Sequence, residues 1–161
     1  MAKFIKEIIP YIIIVIAVVL IRTYIITPVT VYGPSMETTL YSNDIMLLYK
    51  FNKNNIKRYD IVVFKYGNDR LIKRVIGLPG DTIKCLDGKI YINNEEKSNE
   101  YGYGSNLQFS QITLKEDEYF VMGDNRENSL DSRYFGPVTS EQILGTTDFI
   151  IFPFNRFGSV N

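Results

Sequence analysis

The sequence predicts a mainly β protein, an antiparallel β-sheet domain carried on a single N-terminal transmembrane helix. Three observations predict it. From Ile8 to Ile21 every residue is apolar except Pro10 and Tyr11. From Pro28 onward the pattern changes to short runs rich in β-branched and aromatic residues, separated by turn-forming clusters, which suits strands rather than helices. With 161 residues and 45% hydrophobic content, the chain is the size of one ordinary domain and can bury a real core.

The apolar run resumes after Arg22 and Thr23 with Tyr24, Ile25 and Ile26. As a helix, Ile8–Ile26 would measure about 28 Å, close to the ~30 Å of a bilayer's hydrocarbon, and Arg22 can snorkel to the nearer interface. Leu20–Tyr24 offers no small-x-small pair for processing, so an uncleaved anchor is expected. Lys3 and Lys6 precede the span and only Arg22 lies at its far end, which favours a cytoplasmic N-terminus. The expected division is a stub and anchor over 1–27 and an extracytoplasmic β-rich domain over 28–161.

Past Pro28 the residues alternate, with Val29 and Val31 on one side and Thr30 and Tyr32 on the other, so the first strand is placed there. A short helical segment is expected after Ser35. Further strands are expected at 45–49, 60–66, 71–76, 82–85, 89–92, 119–122 and 147–154. Asp87-Gly88, between "TIKCL" and "KIYIN", predicts a two-residue hairpin with positive φ at both turn positions. Segment 93–113 is polar and Gly-punctuated, and reads as a loop or a small excursion from the main sheet. One helical stretch is expected at Ser140–Leu144, "SEQIL", with Ser140 as its cap.

Composition narrows the chemistry. Eighteen basic and eighteen acidic residues cancel and form no block, so nothing marks a nucleic-acid partner. The chain has no histidine and one cysteine, Cys85, which excludes an intramolecular disulfide, a Cys-His pair and the usual zinc spacings; no metal or cofactor is expected. Cys85 itself reads as a small apolar residue buried in a strand.

Ser35 follows a Gly-Pro corner in "YGPSMETTL" and is either a turn residue or a nucleophile. Without imidazole, its base would have to be a carboxylate, an amine or a chain terminus. In the strand at 71–76, Lys73 and Arg74 point to opposite faces, so one of these cations is expected to point inward. An exposed lysine with a pKa near 10.4 is neutral about once in 2,500 at pH 7; burial that lowers it to roughly 8 leaves about a tenth neutral. Locally, an ordinary strand-edge cation remains the plainer reading of Lys73. Residues 123–133, "GDNRENSLDSR", form a polar island between apolar runs, in which Asp131 and Arg133 can pair and Ser129 can hydrogen-bond an amine. On its own this loop is read equally well as a solvated turn or as a functional loop.

Together, "GPSMETTL" at 33–40, "YDIVVFKY" at 59–66, "RLIKRVIGLPGD" at 70–81 and "MGDNRENSLDSRYFG" at 122–136, in this order behind an anchor, resemble the sequence boxes of bacterial type I signal peptidases. The short interval between the third and fourth boxes is similar to the compact Gram-positive type. The resemblance implies a signal-peptidase-like β-fold and a plasma-membrane enzyme that cuts secreted preproteins after small-x-small sites, commonly Ala-x-Ala. It further implies Ser35 as nucleophile and Lys73 as general base. Ser129 is expected to hydrogen-bond the lysine, Asp131 and Arg133 to shape the site as an ion pair, and Asp124, Arg74 and Arg126 to support it. The apolar substrate lining would include Val29, Val31, Met36, Leu40, Val63 and Ile72, with core packing an equally good reading of Leu40 and Val63. An extended substrate would pair with the strand at 29–33. The oxyanion donor is expected to be the backbone N–H of Ser35, because the position two residues earlier, which carries a hydroxyl in some members, is Gly33. Two other positions depart from the family pattern: Thr38, where proline is common, and Tyr59, where glycine is common. Nine residues from Ile26 to Ser35 span at most about 30 Å, so the serine stays near the bilayer surface. Two rival readings stand beside it: a self-cleaving Ser-Lys protein of the SOS-repressor type, which shares the serine-methionine feature and the dyad chemistry but is cytosolic, so that the apolar span argues against it, and an inactive membrane-tethered module that only grips signal peptides.

Overall fold

The computed structural model describes residues 2–51, 55–97, 101–105 and 108–160. Helix α1 (Ala2–Tyr24) contains the window Glu7–Tyr24, whose mean hydropathy is 2.0 and none of which is buried. It is long and apolar enough to cross a membrane. The helix stops at Tyr24, and strand β1 (Ile26–Thr30) begins after one intervening residue. The last residues of the apolar run therefore belong to the sheet, and the first strand starts three residues earlier than its alternation suggested. The reason is pairing: β1 runs antiparallel to β2 (Ile45–Tyr49) from Ile26 opposite Tyr49 to Thr30 opposite Ile45.

The remaining strands are β3 (Ile61–Tyr66), β4 (Asp69–Gly77), β5 (Thr82–Leu86), β6 (Lys89–Ile92), β7 (Glu95–Lys97), β8 (Phe109–Thr113), β9 (Glu118–Met122), β10 (Val138–Thr139), β11 (Ile143–Thr147), β12 (Phe149–Phe152) and β13 (Gly158–Ser159). They form two antiparallel sheets. The nine-stranded sheet has the order β10-β9-β4-β3-β11-β2-β12-β13, with β1 on β2, and the four-stranded sheet the order β7-β6-β5-β8. The Asp87-Gly88 hairpin joins β5 to β6 with φ of 50° and 74°, as a turn of that type requires. Segment 93–113 supplies β7 and β8 to the small sheet rather than a plain loop; residues 98–100 and 106–107 lie outside the described set.

Three expectations fail for identifiable reasons. Ser140–Leu144 is not helical. Gln142 Oε1 instead accepts from Thr139 N–H, closing a turn, and Ile143 enters β11 opposite Phe64 with its side chain fully buried. The strand expected at 147–154 is two strands, β11 and β12, separated at Asp148. After Ser35 there is a turn and no helix, closed by Glu37 N–H to Pro34 O and Leu40 N–H to Met36 O. A short helix α2 (Ser132–Phe135) appears where none was expected, capped by the Asp131 carboxylate accepting from Arg133 N–H.

Three apolar clusters hold the domain together, each fully buried large side chain adding about 1.5–3 kcal/mol. The first gathers Val62, Phe64, Val75, Val121, Val138 and Ile143 on one face of the main sheet. The second joins the sheets through Ile76, Ile83, Ile90, Ile92, Leu114, Phe120 and Met122, and Cys85 is buried nearby in β5. The third packs Val31, Met36 and Leu40 against Met46, Ile61 and Ile150. Strand β3 contributes to the first cluster through Val62 and to the third through Ile61. Both of its faces are covered, which is why "IVVF" reads as a continuous apolar run.

Candidate active site

Ser35 sits in the turn after β1, where Met36 and Leu40, buried in the third cluster, pin the chain on the side following the serine. Gly33, with φ of 81°, makes the corner before it, and its N–H donates to Ser42 Oγ at 3.1 Å. Lys73 lies in β4 opposite Val62 and is 3% exposed. Its Nζ is 2.6 Å from Ser35 Oγ. Burial lowers the Lys73 pKa to about 8, opposed by the carboxylates of Asp131 and Asp124 and assisted by Arg133. At that value roughly a tenth of the amine is neutral at pH 7.

Lys73 and Arg74 are both inside, not one of the two. Arg74, on the opposite face, is 0% exposed. Its Nε and Nη2 donate to the two oxygens of Asp124 at 2.9 and 2.8 Å, and its Nη1 donates to Tyr59 O at 2.9 Å. The Tyr101 ring lies 4.0 Å from the guanidinium and roofs the pair. Charge-assisted, bidentate pairing of this kind makes a buried arginine tolerable.

The loop 123–133 closes against the serine. Asn125 N–H donates to Ser35 O at 3.1 Å, and Gly123 N–H donates to Asp131 Oδ2 at 2.9 Å. Asp131 and Arg133 form a buried two-pronged ion pair, Nε to Oδ1 at 2.8 Å and Nη2 to Oδ2 at 2.9 Å. Ser129 Oγ donates to Asp131 Oδ2 at 2.6 Å; its hydrogen bond goes to the carboxylate rather than to Lys73. Arg126 is buried too, with Nε donating to Gly123 O at 2.9 Å. The structure thus brings Ser35, Lys73, Ser129, Asp131 and Arg133 into one neighbourhood, with Arg74 and Asp124 behind it.

The expected substrate lining divides. Val29, Val63 and Ile72 border an open cleft of about 620 Å³, together with Pro28, Thr30 and Tyr32 on one side and residues 68–71 on the other. Val31, Met36 and Leu40, each at most 2% exposed, lie in the core. Two groups were not legible as site residues. Thr39 Oγ1 donates to Asp124 Oδ2 at 2.6 Å, tying the turn that carries Ser35 to the Arg74 pair. Gly123 occupies a place where a Cβ would overlap Ser129 and the Ser35 carbonyl.

With this geometry in hand, residues 1–152 match the family described as Signal peptidase, peptidase S26. The chain belongs to the S26 signal peptidase family. It is a peptidase. A Signal peptidase I of Bacillus amyloliquefaciens is 40% identical over 159 residues, covering 90% of this chain and 86% of that one. Signal peptidase I S of Bacillus subtilis (strain 168) is 37% identical over 166 residues, covering 92% of this chain and 90% of that one. The crystal structure of a signal peptidase I from Enterococcus faecalis V583 shares 34% identity and covers 57% of this chain and 96% of that one, with a TM-score of 0.48.

One departure from the S26 pattern gains a structural meaning. Tyr59, where glycine is common, has φ of 74°. Its N–H donates to Val75 O at 2.8 Å and its ring packs 5.2 Å from that of Tyr101. The left-handed backbone explains a preference for glycine at this place. Here the ring contact with the Arg74 roof offsets part of that cost.

Proposed function

We propose that this S26 peptidase removes N-terminal signal peptides from secreted preproteins after small-x-small sites, with Ser35 as nucleophile and Lys73 as general base. The observation that carries the proposal is the buried Lys73 amine 2.6 Å from Ser35 Oγ. In a chain without histidine, a desolvated amine is the activator within reach of the hydroxyl. Neutral Lys73 takes the Oγ proton as Oγ attacks the scissile carbonyl carbon. The resulting oxyanion is met by Ser35 N–H, since the position two residues earlier is Gly33 and offers no hydroxyl. Collapse breaks the C–N bond, and the proton passes from Lys73 to the leaving amine of the mature protein. Water then attacks the ester carbonyl, giving a proton to Lys73; as the ester C–O bond breaks Lys73 returns that proton to Ser35 Oγ, and the signal peptide leaves as a carboxylic acid that ionises to solvent.

The cleft supports the substrate assignment. Among the described residues, β1 pairs only with β2, and β4 meets β9 only from Arg74 onward. Both strands therefore present an open edge to the cleft, which suits an extended peptide adding itself as a strand. Val29, Val63 and Ile72 border that cleft, and bulky walls beside an added strand would favour small side chains by shape. Helix α1, read as a single-pass plasma-membrane anchor with its N-terminus cytoplasmic, holds the domain on the outer face where a preprotein's apolar segment emerges. The test is cleavage of a preprotein bearing an Ala-x-Ala site by the detergent-purified protein. The wild type is expected to cut at that site, and Ser35→Ala and Lys73→Ala to be inactive while still folded; turnover by either variant at the wild-type rate refutes the assignment.

A further inference from the structure

The end of α1 is fastened, not hinged. A helix terminus leaves carbonyls without intrahelical partners. At this one, Lys50 Nζ donates to Arg22 O at 3.1 Å and to Thr23 O at 2.9 Å, and Thr27 Oγ1 donates to Arg22 O at 2.7 Å. Lys50 N–H donates to Ile25 O at 2.9 Å. A cation at a helix C-terminus is also favoured by the helix dipole. Ile25 alone separates the helix from β1, and Lys50 directly follows β2, the strand that carries β1 along its whole length. Strand β2 is itself held in the main sheet by β11 and β12. The helix end is therefore gripped by the sheet whose edge forms the cleft, with no flexible linker between them.

We propose that Lys50 is a positioning residue which, by latching the end of α1 to β2, holds the cleft at one height above the bilayer and so selects the distance between a substrate's apolar segment and the bond that is cut. The inference rests on the signal-peptide reading above. A substrate anchored in the same bilayer presents each peptide bond at a height set by the number of residues beyond its apolar segment. An enzyme on a loose tether averages over heights and accepts many spacings, whereas a latched one accepts few.

The experiment uses the full chain in phospholipid vesicles and a series of preproteins whose spacer before the Ala-x-Ala site is shortened or lengthened by up to three residues. Three extended residues move the bond by about 10 Å. The wild type is expected to lose at least ~10-fold in cleavage three residues from the optimum, and Lys50→Met less than ~3-fold, as effective concentration stops depending sharply on height. Lys50→Arg, which keeps donors on a long side chain, should restore the narrow profile. A soluble peptide with the same Ala-x-Ala site should be cut equally by all three, showing that the site itself is intact. A profile in Lys50→Met as narrow as the wild type's overturns the proposal. A second variant with Gly-Gly-Ser inserted between Tyr24 and Ile25 should flatten the profile as well, and a narrow one there overturns the proposal equally. Failure of the wild type on both preprotein and soluble peptide would instead remove the functional reading on which the latch depends.

Discussion

Asn125 N–H donates to the carbonyl of Ser35, so the serine's turn and the loop that carries Ser129 and Asp131 are one hydrogen-bonded unit, although ninety residues separate them in sequence. The two segments meet across Gly123. Any side chain there meets the Ser35 carbonyl, which is backbone and cannot swing aside, and the Ser129 side chain. Gly123→Ala is expected to lower kcat by about 100-fold or more, because an ~1 Å displacement of a reacting group costs about that much. The overpacking should destabilise the fold by about 1–3 kcal/mol. Steady-state cleavage and thermal unfolding of the same preparation check both.

The Lys73 amine makes activity and stability depend on pH in the same direction. Its pKa is lowered to about 8 in the folded protein from 10.5, chiefly by burial. The rate should rise about tenfold per pH unit up to roughly pH 8 and then level as the neutral amine becomes the main form. Between pH 8 and 10.5 the unfolded chain binds the proton that the folded one has released, so stability rises with pH through that window. The span corresponds to about 3 kcal/mol. Lys73→Met has no such proton, and its stability advantage over the wild type at pH 7 should shrink by that amount by pH 10.5. Denaturant titrations at the two pH values measure it, and a constant difference would contradict the burial of the amine.

The Arg74–Asp124 pair is fully buried, with both side chains 0% exposed. Asp124→Ala strands a guanidinium in the core and is expected to cost about 3–5 kcal/mol. Replacing both, as Arg74→Met with Asp124→Leu, should cost clearly less than that single change. Thr39→Val removes one hydrogen bond to the carboxylate and should cost about 1 kcal/mol. Chemical denaturation of the wild type and the three variants measures each cost.

Tyr59→Gly restores the residue common in the family, yet it should not stabilise this chain. Relief of the left-handed backbone is worth about 1–2 kcal/mol. Against it stand about 0.5–1.5 kcal/mol from the lost ring pair with Tyr101 and the buried area of the ring, together with ~1 kcal/mol of chain entropy. A net loss of about 1–2 kcal/mol is expected; a variant more stable than the wild type would show that the ring contact counts for little.

Local signals carried much of the outline. Continuous apolar residues announced α1, and the Asp87-Gly88 pair announced a hairpin because few residues tolerate positive φ twice in succession. The expectations that failed are those in which competing local readings were close. "SEQIL" has a good cap but also Ile143, which the core claims, and burial of one isoleucine outweighs a cap. The end of the apolar run suits helix or strand equally, and pairing with β2 decided for the strand at Ile26.

The sequence alone determined that this chain has an apolar segment long enough for a membrane, a β-rich domain behind it, and no imidazole, so that a serine nucleophile would have to rely on another base. These depend on composition and on short-range periodicity. Only the tertiary structure decided that Lys73 and Arg74 are both buried, that Ser129 turns to Asp131, and that four of the six expected lining residues, Val31, Met36, Leu40 and Val63, are buried. The reason is physical: the state of a charged or apolar side chain depends on what covers it, and here the cover comes from residues 35, 101 and 123–133, turns and a loop distant in the chain and adjacent in the fold.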